Sequence, residues 1–364
     1  MSLPGWKISE FNTFASNVIR DIDRNQPKDI VTPKRPLWNL LQKKGRVTTK
    51  PAGFGPETSV VYSNPDRTVF QSRTSQLENY NEALVDVKTV AQWDHLLATT
   101  SFTIPNWERF NSKGKLAIAD HIKQEMDRVY EGFKTVQEEI LWNGRAKGSD
   151  VIWGINNIVA VDPTVNPTSP ISGQIGRIDR TDSTRFSGWR NQTKNYNAAY
   201  RTMAYGGEYT NMFDEGSSSL LELFWNCSNN ADGNYPDLIV ANAPFFRYSH
   251  RLAKDESATV YYDTEKTRDL GVKTFSFMEA SIIRDDKVPD SPGSANYGTA
   301  VVLNLSTWEW FYTEGLKGAW EPMVNAASGQ TAMRADMHTQ FGLICSAPNR
   351  NGIFYNVQDQ TQTP

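Results

Sequence analysis

Cysteine and histidine are scarce in this chain: its 364 residues include two Cys and four His. Cys227 and Cys345 cannot build a disulfide scaffold, no CxxC occurs, and two thiols fit a reducing compartment. The histidines (His95, His121, His250 and His338) form no HExxH and no cluster of zinc-binding spacing. His121 and Glu125, four apart, offer two ligands and read as a solvated helix face. GxSxG, Walker and GxGxxG patterns are absent. Gly53-x-Gly55 and Gly206-Gly207 read as turn glycines. The pairs Glu138-Glu139 and Asp285-Asp286 are adjacent in sequence, so their carboxylates point apart and make no general acid–base couple. No apolar run approaches the roughly 18 residues of a membrane span, and Met1–Glu10 lacks the apolar centre of a signal peptide. The expectation is a soluble protein made in a cytoplasm, with no metal, no cofactor, no membrane contact and no catalytic residue to name.

Aromatics, by contrast, are plentiful, with 11 Trp, 14 Tyr and 17 Phe in a chain that is 38% hydrophobic and 22% charged. That composition supports a folded core, and the length fits two or three domains. The aromatic load serves large cores or protein interfaces. Charge is uneven. Met1–Lys50 carries ten Lys or Arg against four Asp or Glu, a net of +6, which leaves −9 for the rest of a chain whose total is −3. A basic leading segment on an acidic body docks on acidic protein surface or faces nucleic acid.

Ser9–Asn25 reads as a short amphipathic helix through Phe11, Phe14, Val18 and Ile22. In Gln26–Val47, Pro27, Pro33 and Pro36 forbid a continuous helix, so the reading is an extended arm. Its apolar anchor is Leu37, Trp38, Leu40 and Leu41, which packs on the chain's own core or on a neighbour. Glu57–Tyr62 and Ala83–Val90 are β-rich and flank a long polar stretch, Ser63–Glu82. That stretch exceeds an ordinary hairpin loop of about two to five residues. Ser112–Asn143 carries apolar residues at gaps of three and four for about eight turns. Ser112 is placed as its N-cap and Gly144 just past its end. The predicted helix is about 45 Å long, a spine for other elements, with Lys123 and Asp127 on its exposed side. Beyond it lie helices at Gly216–Asn229 and Ala243–Leu252 and strands at Asp237–Asn242, Thr274–Ile283 and Thr299–Leu305. Two more strands fall in Met337–Tyr355 around Pro348 and Asn349. The mix is α+β with no βαβ alternation.

Several segments carry a resemblance. Pro36-Leu37-Trp38-Asn39-Leu40-Leu41-Gln42-Lys43-Lys44-Gly45 resembles the arm of one branch of the major capsid proteins of tailed phages, whose fold is shared with herpesvirus capsid floors and encapsulins. Gly154-Ile155-Asn156-Asn157-Ile158-Val159 is similar to an element that follows the spine helix there. Ile178-Asp179-Arg180 with Gly188-Trp189-Arg190-Asn191 resembles in part a G-I-D-R … W-W-R-N stretch, with Gly176 followed by Arg177 ahead of Ile178 and Gly188 in place of the first Trp. Phe277–Pro289 followed by Val301-Val302-Leu303-Asn304 resembles paired strands ending in D-x-x-V-P … L-N.

The resemblance implies a capsid fold divided into an N-terminal arm (1–52), an E-loop (53–98), a peripheral domain with spine helix (99–150), an axial domain (151–330) and a return to the peripheral domain (331–364). It implies a structural role in a virion, not catalysis. Subunits form hexamers and pentamers of an icosahedral head around double-stranded DNA. The expected subunit contacts are Lys34, Arg35, Leu37, Trp38 and Leu41 in the arm, Arg67, Phe70, Arg73 and Glu78 in the E-loop, and Lys254, Glu256 and Arg268 near the capsomer axis. A separate scaffolding protein, a portal and a decoration protein are the implied partners, with packaged DNA met non-specifically. Between Asn64 and Ala83 there is no Lys, so no lysine cross-link to a neighbour is expected. The alternatives are an encapsulin-like compartment shell, which the long arm disfavours, a head-decoration protein, and an enzyme with a dispersed site, which predicts a concave pocket with shifted titrating groups.

Overall fold

The computed structural model describes residues 36–51, 53, 55–61, 88–105, 115–183, 185–196, 219–229, 234–252, 275–278, 280–290, 297–322, 324–325 and 332–357. The first described element corrects the extended-arm reading. Pro36–Lys43 is a helix, α1, because proline is well suited to the first helical position, where its missing N–H costs nothing. Gly45 ends it at φ 66°, and Arg46 N–H returns to Leu41 O at 2.9 Å, a left-handed cap that glycine favours. The chain then enters β1 (Val47–Lys50), which runs parallel to β12 (Trp308–Thr313).

The first sheet is organised by β15 (Ala332–Cys345). On one side it pairs with β12 and the short β13 (Ala319–Trp320) and β14 (Val324–Asn325); on the other it pairs with β4 (Leu96–Pro105). Met333, Ala335, Met337, Thr339 and Phe341 are buried, while Arg334, Asp336, His338 and Gln340 alternate onto the wetter face. Against this sheet lies α2 (Lys115–Asn143), about 44 Å at 1.5 Å per residue. Ile122, Met126, Val129, Phe133, Ile140 and Leu141 face inward. Val136, expected in that stripe, is 43% exposed. The inward line runs through Gln137 instead, whose amide donates to the Tyr312 hydroxyl at 2.6 Å. Gly144, at φ 72°, closes the helix as expected, whereas Ser112 lies outside the described residues.

A two-stranded ladder, β2 (Glu57–Val61) with β3 (Lys88–Gln92), and a hairpin, β5 (Arg145–Lys147) with β6 (Asp150–Ile152), stand beside this body. A single-turn helix, α3 (Ile155–Ile158), follows.

The second sheet has the order β7 (Gln192–Asn195), β16 (Gly352–Val357), β11 (Gly298–Leu303), β8 (Leu238–Ala241), β10 (Ala280–Arg284), β9 (Phe275–Phe277). All of β8 and β11 is buried, which explains the apolar runs Leu238–Ala241 and Ala300–Leu303: both faces are covered. On one face α4 (Leu220–Asn229) and α5 (Ala243–Leu252) close a cluster that includes Leu223, Phe224, Ile239, Phe245, Val302 and Phe354. The other face joins the core of the first sheet through Leu238, Val240, Ile283, Val301 and Ile353. Within Thr274–Ile283, expected as one strand, the described residues form a hairpin. The chain reverses at Met278 (φ 51°), and β9 pairs antiparallel with β10.

β12, β13, β14 and β15 belong to the first sheet, and β16 (352–357) returns to the second. The chain therefore crosses between sheets at 304–308 and again at 345–352. Both crossings meet at Asn351, which is fully buried. Its Oδ1 accepts from Asn304 N–H and Trp308 Nε1, each at 2.9 Å, and its Nδ2 donates to Ala347 O at 3.0 Å and Thr307 Oγ1 at 3.1 Å.

Candidate subunit interface

The arm anchor packs on its own body. Leu37, Trp38 and Leu41 are buried, and Trp38 stands edge-on to Trp310 with ring centroids 5.2 Å apart. Of the two places expected for this anchor, the chain's own core and a neighbour, the side chains occupy the first. Polar contacts fix the same segment. Lys44 pairs with Asp237 at the start of the second sheet, Lys50 meets Glu309 at 3.0 Å, and Thr48 donates to Glu309 at 2.6 Å. Lys34 and Arg35 lie outside the described residues.

The β2–β3 ladder shows its outer face to solvent: Val61 is 54% and Val90 44% exposed, beside Glu57, Ser59 and Lys88. Arg67, Phe70, Arg73 and Glu78 belong to 62–87, outside the described residues. At the ladder's foot is a cleft of about 540 Å³ bounded by Glu57, Trp93, Asp94, His95, Asp150 and Arg177. Asp94 accepts from Val151 N–H at 3.2 Å and from Arg177 at 3.4 Å. Gly55 is needed there for close approach, since a Cβ would lie 1.9 Å from Trp93 O. The cleft mixes carboxylates with a guanidinium and holds no paired nucleophile and base. Among the described residues no three His, Cys, Asp or Glu side chains are grouped to hold a metal, and no helix is long and apolar enough to cross a membrane.

The I-D-R and W-R-N segments form an internal clamp. Arg180 is fully buried. Its guanidinium donates to Asn191 Oδ1 at 2.6 Å, Ile158 O at 3.1 Å and Asn157 O at 3.4 Å. Its Nε has no partner, and burial lowers the Arg180 pKa to about 10. Asn191 also ties both backbone groups of Ala160. Arg190 donates twice to Arg180 O, at 2.8 and 2.7 Å, and the Trp189 indole donates to Ile175 O at 3.1 Å. Such a network orders a long stretch with little regular structure; none of its polar groups is presented to a ligand. The thiols are equally inert. Burial pushes both upward, Cys345 to about 12, so neither is a thiolate nucleophile at neutral pH.

Lys254, Glu256 and Arg268 lie in 253–274, outside the described residues. Sequence reasoning missed Asn351 and Asn242. The Oδ1 of Asn242 accepts from Phe245 N–H at the start of α5 and from Thr299 N–H of β11. A capping asparagine before Ala243 was the available signal; for Asn351 there was none.

No protein-family model and no curated protein matches this chain. Solved structures do. The cyanophage A-1(L) capsid asymmetric unit superposes with a TM-score of 0.56 at 12% identity, over 92% of this chain and 95% of that one. Mycobacterium phage Adephagia (TM-score 0.49, 10% identity, 95% and 98% covered) and the holo-SrpI encapsulin complex of Synechococcus elongatus PCC 7942 (0.47, 14%, 93% and 95%) are also similar. The first of these carries the assignment. The mixed sheet-and-helix architecture, shared over nearly the whole of both chains, is the fold found in the cyanophage A-1(L) capsid.

Proposed function

We propose that this chain is the major capsid protein of a tailed phage, a shell subunit with no enzymatic task. Copies assemble into hexamers and pentamers of an icosahedral head around double-stranded DNA. The observation that carries the reading is the end-to-end match to a phage capsid subunit, 92% of one chain against 95% of the other. The geometry supports it. The β2–β3 ladder has two strands and a solvated face bearing Val61 and Val90; two strands alone are marginal in water, and a neighbour would complete them. The buried polar groups clamp the fold instead of facing a substrate.

In this reading residues 1–52 act as an arm and 53–98 as an E-loop laid over a neighbour. The helix-bearing residues 99–150 are peripheral, 151–330 are mainly axial, and 331–364 return to the periphery. Lys34, Arg35, Arg67, Phe70, Arg73, Glu78, Lys254, Glu256 and Arg268 make contacts between subunits. A scaffolding protein, a portal and a decoration protein are its partners, and DNA is met non-specifically.

Light scattering and negative-stain microscopy, with and without the neighbouring gene products, test this. Hollow polyhedra, or free hexamers and pentamers, are expected. Particles holding a cargo enzyme in place of nucleic acid would move the chain to the encapsulin class. A monomer or dimer at every concentration, even with scaffold present, would overturn the shell reading.

A further inference from the structure

Among the described residues, one margin of the first sheet is uncovered. β4 pairs with β15 from Leu96↔Phe341 to Pro105↔Ala332 without a register shift, and among the described residues no other strand pairs with it. β6 approaches only at its start, where Val151 N–H reaches Asp94. In such a strand alternate backbone N–H and C=O groups point away from the sheet and seek partners. Proteins that stay monomeric block these edges with lysine, proline, inward charges or bulges. The edge Leu96-Leu97-Ala98-Thr99-Thr100-Ser101-Phe102-Thr103-Ile104 has no charge and no bulge, and the strand's one proline, Pro105, stands at its last position. Leu97 is 58% exposed, and Thr99, Ser101 and Thr103 share its face.

We propose that the free edge of β4 pairs antiparallel with β4 of a second copy of this chain, fusing two six-stranded sheets into one across a two-fold axis. The proposal rests on the shell reading, since an icosahedral shell contains two-fold axes and a contact on one must be self-complementary. β4 meets that demand. Centred on Thr100, the pairing sets Thr99 against Ser101, Leu97 against Thr103 and Ala98 against Phe102. Centred on Ser101, it sets Thr99 against Thr103. Both registers keep the solvated face together and place hydroxyls opposite one another, a favourable cross-strand pair, with no like charges opposed. The rival occupant is the 62–87 segment of a neighbouring copy.

Single-cysteine variants separate these cases, because Cys227 and Cys345 are buried and stay silent. Thr100→Cys and Ser101→Cys are made separately, assembled, mildly oxidised and run on a non-reducing gel. Residues opposite themselves at the centre have Cβ atoms about 4.5–5.5 Å apart, close enough for a disulfide after small adjustment. One of the two variants therefore becomes a covalent dimer, and Leu97→Cys, far from its own copy in either register, does not. Assembled particles with no dimer from either variant overturn the edge pairing and leave the shell reading standing. A dimer that forms only when Thr100→Cys is mixed with Val69→Cys overturns it in favour of the rival occupant. Failure of the unmodified chain to assemble removes the shell reading and this proposal with it. Should a cysteine variant misfold, hydrogen exchange on the unmodified protein decides. The alternate, outward-pointing amides within Leu97–Thr103 slow about a hundred-fold from subunit to particle if the edge is paired; unchanged rates refute the pairing.

Discussion

Asn351 is the side chain whose loss should cost most for its size. Asn351→Ala removes five side-chain hydrogen bonds, the longest a 3.9 Å bond from Nδ2 to Cys345 Sγ, and leaves two buried donors, Asn304 N–H and Trp308 Nε1, without an acceptor. Each stranded donor costs roughly 1–3 kcal/mol, so the substitution should lower stability by about 4 kcal/mol. Both donors sit on the 304–308 crossing and Asn351 on the 345–352 crossing, so the damage should loosen the junction and not one lobe alone. Denaturant unfolding of the unassembled subunit, followed by circular dichroism and tryptophan fluorescence, reads the loss. Ser306→Ala is the control. It removes the 2.5 Å bond to Asn304 Oδ1 and an exposed 2.9 Å bond from Asn234 Nδ2 at a half-buried position and should cost about 1 kcal/mol. A loss for Asn351→Ala no larger than the control's would refute the reasoning.

Trp38→Ala should lower stability by about 3–5 kcal/mol, as for other buried tryptophans; a loss under about 1 kcal/mol in the same unfolding assay would mean that the arm helix does not dock on this body. Gly342→Ala should destabilise by about 1–3 kcal/mol or more through overpacking, because its Cβ would lie 2.4 Å from Phe311 Cζ and 2.6 Å from Asp94 O; a wild-type midpoint in urea would contradict that crowding. Asp285 is pushed above the usual carboxylate range by burial, with the Lys287 amide pulling it partly back. A raised folded-state pKa favours the protonated form, so this group's contribution is present below its unfolded value of about 3.8 and is lost as pH rises through the folded value. The stability of Asp285→Asn relative to wild type should therefore improve from pH 4 to pH 7; a pH-independent difference between the two proteins would count against it.

Periodicity carried the local reading a long way. The eight-turn helix, the buried strands at 237–242 and 299–305 and the helix at 243–252 all appear as expected, because burial of one or both faces writes itself into spacing. What spacing does not encode is partnership. Trp308–Thr313 pairs with β1, more than 250 residues earlier in the chain, and β16 joins a different sheet from β15 although six residues separate them. Pro36 was read as a breaker when its position made it a starter. Met278 turned one expected strand into two, and nothing in Phe277–Ile283 announces a residue at φ 51°. At the clamp, Arg180 and Asn191 were singled out by resemblance, but their partners are backbone carbonyls and amides up to 31 residues away. That geometry becomes visible only after the chain has folded.

The double crossing also governs how this chain leaves the ribosome. The first sheet needs β1 at residue 47 and β15 through residue 345, and the second needs β7 at 192 and β16 through 357. Neither sheet can close while its last strand is still inside the exit tunnel, and pairings this distant form slowly. A nascent chain then carries the unpaired edges of both sheets until its final strands emerge, so completion of each subunit becomes one late and nearly simultaneous event. Subunits stalled or truncated before residue 332 would lack both β15, the centre of the first sheet, and β16, which joins β7 to β11 in the second, and would be goods for chaperones and proteases instead of flawed parts admitted to an assembly.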